Sequence, residues 1–209
     1  MHNYIANQDL FQYNTPYKPK ETYMKKIISV IIIVVVALLV LLLLPSHKDS
    51  NNKTLVAYFS ATGNTRSVAE KLSTAIGADL FEIKPEQVYT TDDLNYRNDK
   101  SRSSVEMSNR NSRPKIANTV ADMSQYNVVF VGFPIWWGRE PSIIDTFIES
   151  YDFAGKTIIP FATSGSTPST TDAAANIKTL SPNSMVLSGQ RFPVDISSDE
   201  LKSWADEQM

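Results

Sequence analysis

What most constrains the fold of this chain is a change of rhythm repeated along residues 54–207. Short apolar runs of strand length alternate with stretches of helical spacing. Leu55–Ser60 opens the series and is apolar up to its serine, which suits a strand buried on both faces. Asn64–Ile76 follows, with Val68, Ala69, Leu72, Ala75 and Ile76 at helical spacing and Gly77 as its stop. Ala78–Ile83 reads as a second strand, and Val128–Trp137, VVFVGFPIWW, as the central one. Pro141–Tyr151 repeats the helical pattern through Ile143, Ile144, Phe147 and Ile148. Thr157–Ala162 is a strand in which Pro160 costs one ladder hydrogen bond. Thr170–Leu180 reads as helix, Ser184–Ser188 as strand, and Ser198–Glu207 as an amphipathic helix opened by a Ser198/Asp199 cap. This alternation predicts an α/β domain, a doubly wound five-stranded parallel sheet covered on both faces. Ligands of such sheets sit beyond the carboxyl ends of the strands. The loops to inspect are therefore Ser60–Thr65, Pro134–Arg139 and Thr163–Pro168.

A different signal precedes the domain. Ile27–Leu44, IISVIIIVVVALLVLLLL, holds 18 consecutive residues of which only Ser29 is polar. As a helix it measures about 27 Å, close to the hydrocarbon thickness of a bilayer. Met24-Lys25-Lys26 also suits the start of a signal peptide. The apolar run is longer than such peptides use, however, and no small-x-small cleavage site follows it. The expectation is a transmembrane helix over 27–44 after a flexible tail (1–26), then a linker (45–53) and the domain (54–209). Lys18, Lys20, Lys25 and Lys26 precede the span, against Lys48 and Lys53 after it. That bias predicts a single-pass membrane protein with its C-terminal domain outside the cytoplasm.

Several chemistries are excluded. The chain has no cysteine, which rules out disulfides, thiol catalysis and iron–sulfur clusters. Its only histidines, His2 and His47, lie outside the domain, so no Ser–His–Asp triad or His-based metal site can form there. The domain carries a mixed net charge of −4, without the basic stripe of a nucleic-acid binder. One region breaks the alternation. Residues 85–115 are polar and hold no clear strand, but contain Tyr89, Tyr96 and six basic residues. This insertion is either a short irregular helix over one sheet face or a lid over a ligand.

Each loop suggests part of a ligand. In Ser60-Ala61-Thr62-Gly63-Asn64-Thr65 a helix N-terminus meets three hydroxyls, an amide and a permissive glycine. That combination favours a phosphate. It lacks the three glycines of a dinucleotide loop and the Gly-Lys-[Ser/Thr] of a triphosphate loop, which leaves a monophosphate, with Arg66 the nearest cation. Simple helix capping is the alternative. Pro134-Ile135-Trp136-Trp137-Gly138 places two indoles at the end of the central strand, where a planar partner would stack; one of the two indoles belongs to the core. Thr163-Ser164-Gly165-Ser166 can offer N–H groups to a ring edge. A monophosphate, an aromatic face and a hydrogen-bonding edge together describe flavin mononucleotide (FMN).

SATGNT at the start of a helix resembles the phosphate loop of the flavodoxin family, and GFPIWWGREPS resembles the second flavin loop of its relatives. The resemblance runs from about Thr54 to the C-terminus. It implies strand order 2-1-3-4-5, an FMN phosphate held by Ser60, Thr62, Asn64 and Thr65, a flavin ring flanked by Pro134–Gly138, and a pyrimidine edge at Thr163–Ser166. The third loop lacks the aromatic residue that covers the outer flavin face in short electron carriers. Either Tyr89 or Tyr96 covers that face, or it is open to substrate. The implied function is a membrane-anchored redox protein carrying electrons between partners. An FMN-dependent NAD(P)H-quinone reductase is the alternative, with the basic residues Arg97–Lys115 either attracting a nucleotide phosphate or simply solvated. A non-redox receiver-like module is disfavoured, because Ser60 and Pro134 stand where its acidic cluster belongs.

Overall fold

The computed structural model describes residues 21–43, 53–164 and 169–209. The 45–53 linker, apart from Lys53, and the tail before Glu21 lie outside these residues. A first helix, α1 (Glu21–Leu43), begins inside the expected flexible tail, because Glu21, Met24, Lys25 and Lys26 are good helix formers. Its side chains are described over 23–36, and every one is exposed. Among the described residues no helix is long and apolar enough to cross a membrane. The expected span over 27–44 is therefore not shown.

The second unit is the α/β domain. Its elements are β1 (Lys53–Tyr58), α2 (Asn64–Ile76), β2 (Asp79–Glu82), α3 (Arg102–Ser108), β3 (Tyr126–Pro134), α4 (Ser142–Glu149), β4 (Thr157–Thr163), α5 (Thr171–Leu180), β5 (Met185–Val186), β6 (Gln190–Phe192) and α6 (Ser198–Gln208). All strand pairings are parallel, in the order β2-β1-β3-β4-β5. Alternation along each strand splits the core in two. Leu55, Ala57, Val129, Val131, Phe133 and Ile158 meet Ile143, Ile144 and Phe147 of α4 and Ile177 of α5. Val56, Tyr58, Phe130, Ile159 and Phe161 meet Val68 and Leu72 of α2 and Leu201 and Trp204 of α6. Both faces of the sheet are therefore apolar, as a covered parallel sheet requires. Gly132 admits no side chain, since a Cβ there would stand 2.2 Å from the Phe161 ring.

Three expectations need correction. The fifth strand is two short pieces, β5 and β6, both beside β4. The break falls opposite Ile159 and Pro160, where β4 lacks an amide donor. The central strand ends at Pro134 rather than Trp137, because residues 136–139 fold back on themselves. The cap of α6 is Ser197, in a reciprocal box with Glu200, rather than Ser198 or Asp199. The 85–115 insertion is ordered: Glu86 N and Ala117 N bond Lys115 O and Lys84 O, clipping its two ends together, and α3 forms within it.

Candidate functional site

The first loop turns at Gly63, whose φ of 91° is left-handed, and Ser60 Oγ accepts a hydrogen bond from Gly63 N at 3.1 Å. No side chain caps α2. The capping alternative therefore fails, and the N–H groups of its first turn keep their demand for an acceptor. Thr62 and Asn64 are exposed, whereas Thr65 is buried and its hydroxyl lies 2.9 Å from that of Thr163. Arg66 is paired with Glu82, which holds its guanidinium above the ordinary arginine range. The local positive potential is thus mainly that of the helix end.

The second loop docks on the same threonine. Ile135 N donates to Thr163 O at 3.1 Å, so Thr163, at the end of β4, ties all three loops together. Beyond Ile135 the chain makes a two-residue turn. Trp136 N bonds Arg139 O at 2.9 Å and Arg139 N bonds Trp136 O at 3.1 Å. Trp137 (φ 48°) and Gly138 (φ 83°) occupy its two left-handed positions, where glycine is at ease and tryptophan is strained. The indoles divide as the sequence implied. Trp136 packs edge-on against Phe59 and Tyr89 at 5.6 and 5.4 Å, while Trp137 is 52% exposed. In the third loop Ser164 O accepts from Arg191 Nη1 at 2.8 Å. Gly165 and Ser166 lie outside the described residues.

A cavity of about 480 Å³ opens between these loops. Of the expected site residues, Ala61, Thr62, Pro134, Ile135, Trp136, Trp137, Gly138 and Ser164 line it, while Ser60, Gly63, Asn64, Thr65 and Thr163 stand behind or beside that lining. The insertion adds Leu94, Tyr96 and Ser103; of these only Tyr96 was expected from the sequence. Tyr89 does not serve as a cover: it is buried, donates to Glu106 and lies under the Arg102 guanidinium at 4.0 Å. Burial raises its phenol above the ordinary tyrosine range. Most of the basic residues proposed to attract a phosphate have internal partners. Arg102 pairs with Glu106, Arg110 with Glu140, Arg113 with Asp145 and Glu149, and Lys115 with Glu86.

Sequence reasoning missed the ionic cluster behind the indole turn. Arg139, Glu140 and Asp145 are almost fully buried. Asn176 Nδ2 donates to Glu140 Oε1 at 2.8 Å and to Asp145 Oδ1 at 3.0 Å, and Arg139 Nη1 stands 3.5 Å from Glu140 and 3.9 Å from Asp145. Burial and the neighbouring Glu140 charge push Asp145 up to about 7, against the pull of Arg113 and Arg139. Burial, with the nearby Arg110 charge, holds Arg139 below its ordinary range. The only signal available in the sequence was Arg-Glu directly after the indoles.

Comparison with known proteins bears on the whole arrangement. A family model described as flavodoxin matches residues 53–208. A solved protein of Bacteroides eggerthii, provisionally called a flavoprotein, is 44% identical, with 74% of this chain and 96% of that one covered and a TM-score of 0.70. One from Bacteroides uniformis, described in the same way, is also 44% identical, covering 74% and 98% with a TM-score of 0.70. A Lactobacillus acidophilus flavoprotein solved in complex with FMN is 22% identical, covers 74% and 99%, and shares the fold at a TM-score of 0.57. No curated protein matches the chain.

Proposed function

This chain belongs to the flavodoxin family, and from that premise we propose that it is a membrane-tethered FMN protein that passes electrons between partners. When bound, FMN supplies the redox chemistry; the protein binds it, orients it and sets its electrostatic surroundings. The observation that carries the reading is the meeting of all three loops at Thr163 beside one cavity, whose volume is of the size that small-molecule and cofactor sites use. In this reading Ser60, Thr62, Asn64 and the α2 N–H groups hold the phosphate, with Thr65 bracing the loop from below. Trp137 would stack on the ring, Trp136 would set the floor of the pocket, and Ser164 would meet the pyrimidine edge. The absorption spectrum of the purified protein after FMN addition tests this. Bound flavin with shifted visible bands is expected, and a protein that stays colourless overturns the reading.

A second reading, a two-electron NAD(P)H-quinone reductase, is favoured by one observation: Tyr89 is committed to Trp136 and Glu106, and Tyr96 is 70% exposed. Neither ring is fixed as a cover on the cavity. Steady NAD(P)H oxidation with a quinone acceptor would establish this reading, and no turnover would leave the carrier. The tether rests on the apolar run Ile27–Leu44 and on a helix whose described side chains are all exposed. Membrane fractionation of the full chain and of a form lacking residues 1–50 tests it, and equal solubility of the two overturns it. The lysine bias supports a domain outside the cytoplasm. Protease added to intact cells should then cleave the domain, and full protection would reverse that orientation.

A further inference from the structure

The indole turn and the insertion are closed into a ring of contacts. Arg139, which ends the turn, donates Nη2 to Met107 O at 3.2 Å and to Ser142 Oγ at 3.4 Å, and Ser142 Oγ reaches Glu106 O at 3.3 Å. The insertion's α3 is thereby held against the turn from behind. On the cavity side Glu106 accepts from Tyr89, and Tyr89 packs edge-on against Trp136, the first residue of the turn. The path therefore returns to its start: Trp136, Tyr89, Glu106, the end of α3, Arg139, Trp136. Within it Trp137 keeps a left-handed backbone that tryptophan does not adopt by preference. An isolated two-residue turn would relax there; a turn pinned at both ends cannot.

We propose that Arg139 is the positioning residue of the flavin site, locking the indole turn to the 85–115 insertion so that the placement of Trp137 depends on contacts about thirty residues away in the chain. This rests on the FMN reading above. Arg139 needs its full guanidinium for the task, since one fork must serve Met107 O, Ser142 Oγ and Glu140 O together. Lysine, with a single point of donation, keeps the charge among Glu140, Asp145, Arg110 and Arg113 but not the fork.

The test is Arg139→Lys, Tyr89→Phe and the pair, each read by the tryptophan emission of the apoprotein and by FMN affinity. Trp204, in the distant α6 core, gives a constant background. Arg139→Lys is expected to shift the emission and to weaken FMN about tenfold, the loss of one charge-assisted hydrogen bond. Tyr89→Phe keeps its ring and removes only its bond to Glu106, with an expected loss of about threefold. In the double variant the losses are expected to fall short of their product, because both cut one ring. Unchanged emission and affinity in Arg139→Lys overturn the proposal, as do losses that multiply independently. If Arg139→Lys does not fold, an unaltered Tyr89→Phe overturns it. A native chain that binds no FMN defeats the cofactor reading instead, and the emission cycle on the apoprotein still decides whether the ring exists.

Discussion

The Ser60–Thr65 loop and the indole turn lie side by side at one end of the sheet and are held in opposite ways. Ser60–Thr65 takes its geometry from adjacent residues: a glycine with positive φ, a serine folded onto its own loop, and the start of α2. Its one cation, Arg66, is half exposed and paired with Glu82. Residues 136–139 are fixed from behind by Arg139, Glu140 and Asp145, which hardly touch water, and by carbonyls of an insertion far away in the chain. The contrast teaches that a loop at a helix start can be written locally, whereas a strained turn needs its shape set by distant packing.

The sharpest way to break the comparison is to remove one arginine from each region. Arg139→Ala leaves Glu140 and Asp145 buried beside fewer positive charges and should cost about 3–5 kcal/mol in chemical denaturation. Proton uptake gives the next effect. Asp145, pushed up to about 7, stays protonated in the fold where it would ionise in the unfolded chain. Stability should then fall as pH rises from about 4 to about 7, by at most about 1.4 kcal/mol per pH unit, and level off above. Asp145→Asn should flatten that slope in melting curves, and an unchanged slope would relocate the titrating group. In the phosphate loop, Asn64→Ala with Thr65→Ala should weaken FMN by about 1–3 kcal/mol while the fold survives, as read by flavin titration against circular dichroism. Smallest of all, Arg66→Ala should change stability by less than about 1 kcal/mol, because its partner is met near solvent. A loss as large as that of Arg139→Ala would erase the distinction between the two regions.

Legibility in the sequence follows the same division. The extent of α2 and its Gly77 stop agree with the pattern residue for residue, and the two-faced apolar strands indicated the parallel sheet. That one of the two adjacent indoles belongs to the core was legible, but only the fold shows that it is Trp136, with Trp137 at the cavity rim. The insertion showed no clear strand and left a short helix and a lid both open, because most of its order is made of short side-chain turns. Asp93 closes on Thr90, Asn95 on Arg97 and Asn98 on Lys100, none of which carries a period. Its basic residues read as either a solvated face or an attraction for a phosphate, but Arg102, Arg110 and Arg113 are spent on Glu106, Glu140, Asp145 and Glu149. Glu149 lies 36 residues from Arg113, beyond the reach of any local pattern.

By itself, then, the sequence determined the doubly wound sheet, the loops at its carboxyl edge and the helix start after Ser60–Thr65. Apolar periodicity and helix-end dipoles act between residues a few positions apart. Only the tertiary structure decided which arginine is buried, which tyrosine is committed to an indole, and how the strained turn is held. Burying a charge is tolerable only where opposite charges arrive from other elements, and no single segment contains them all.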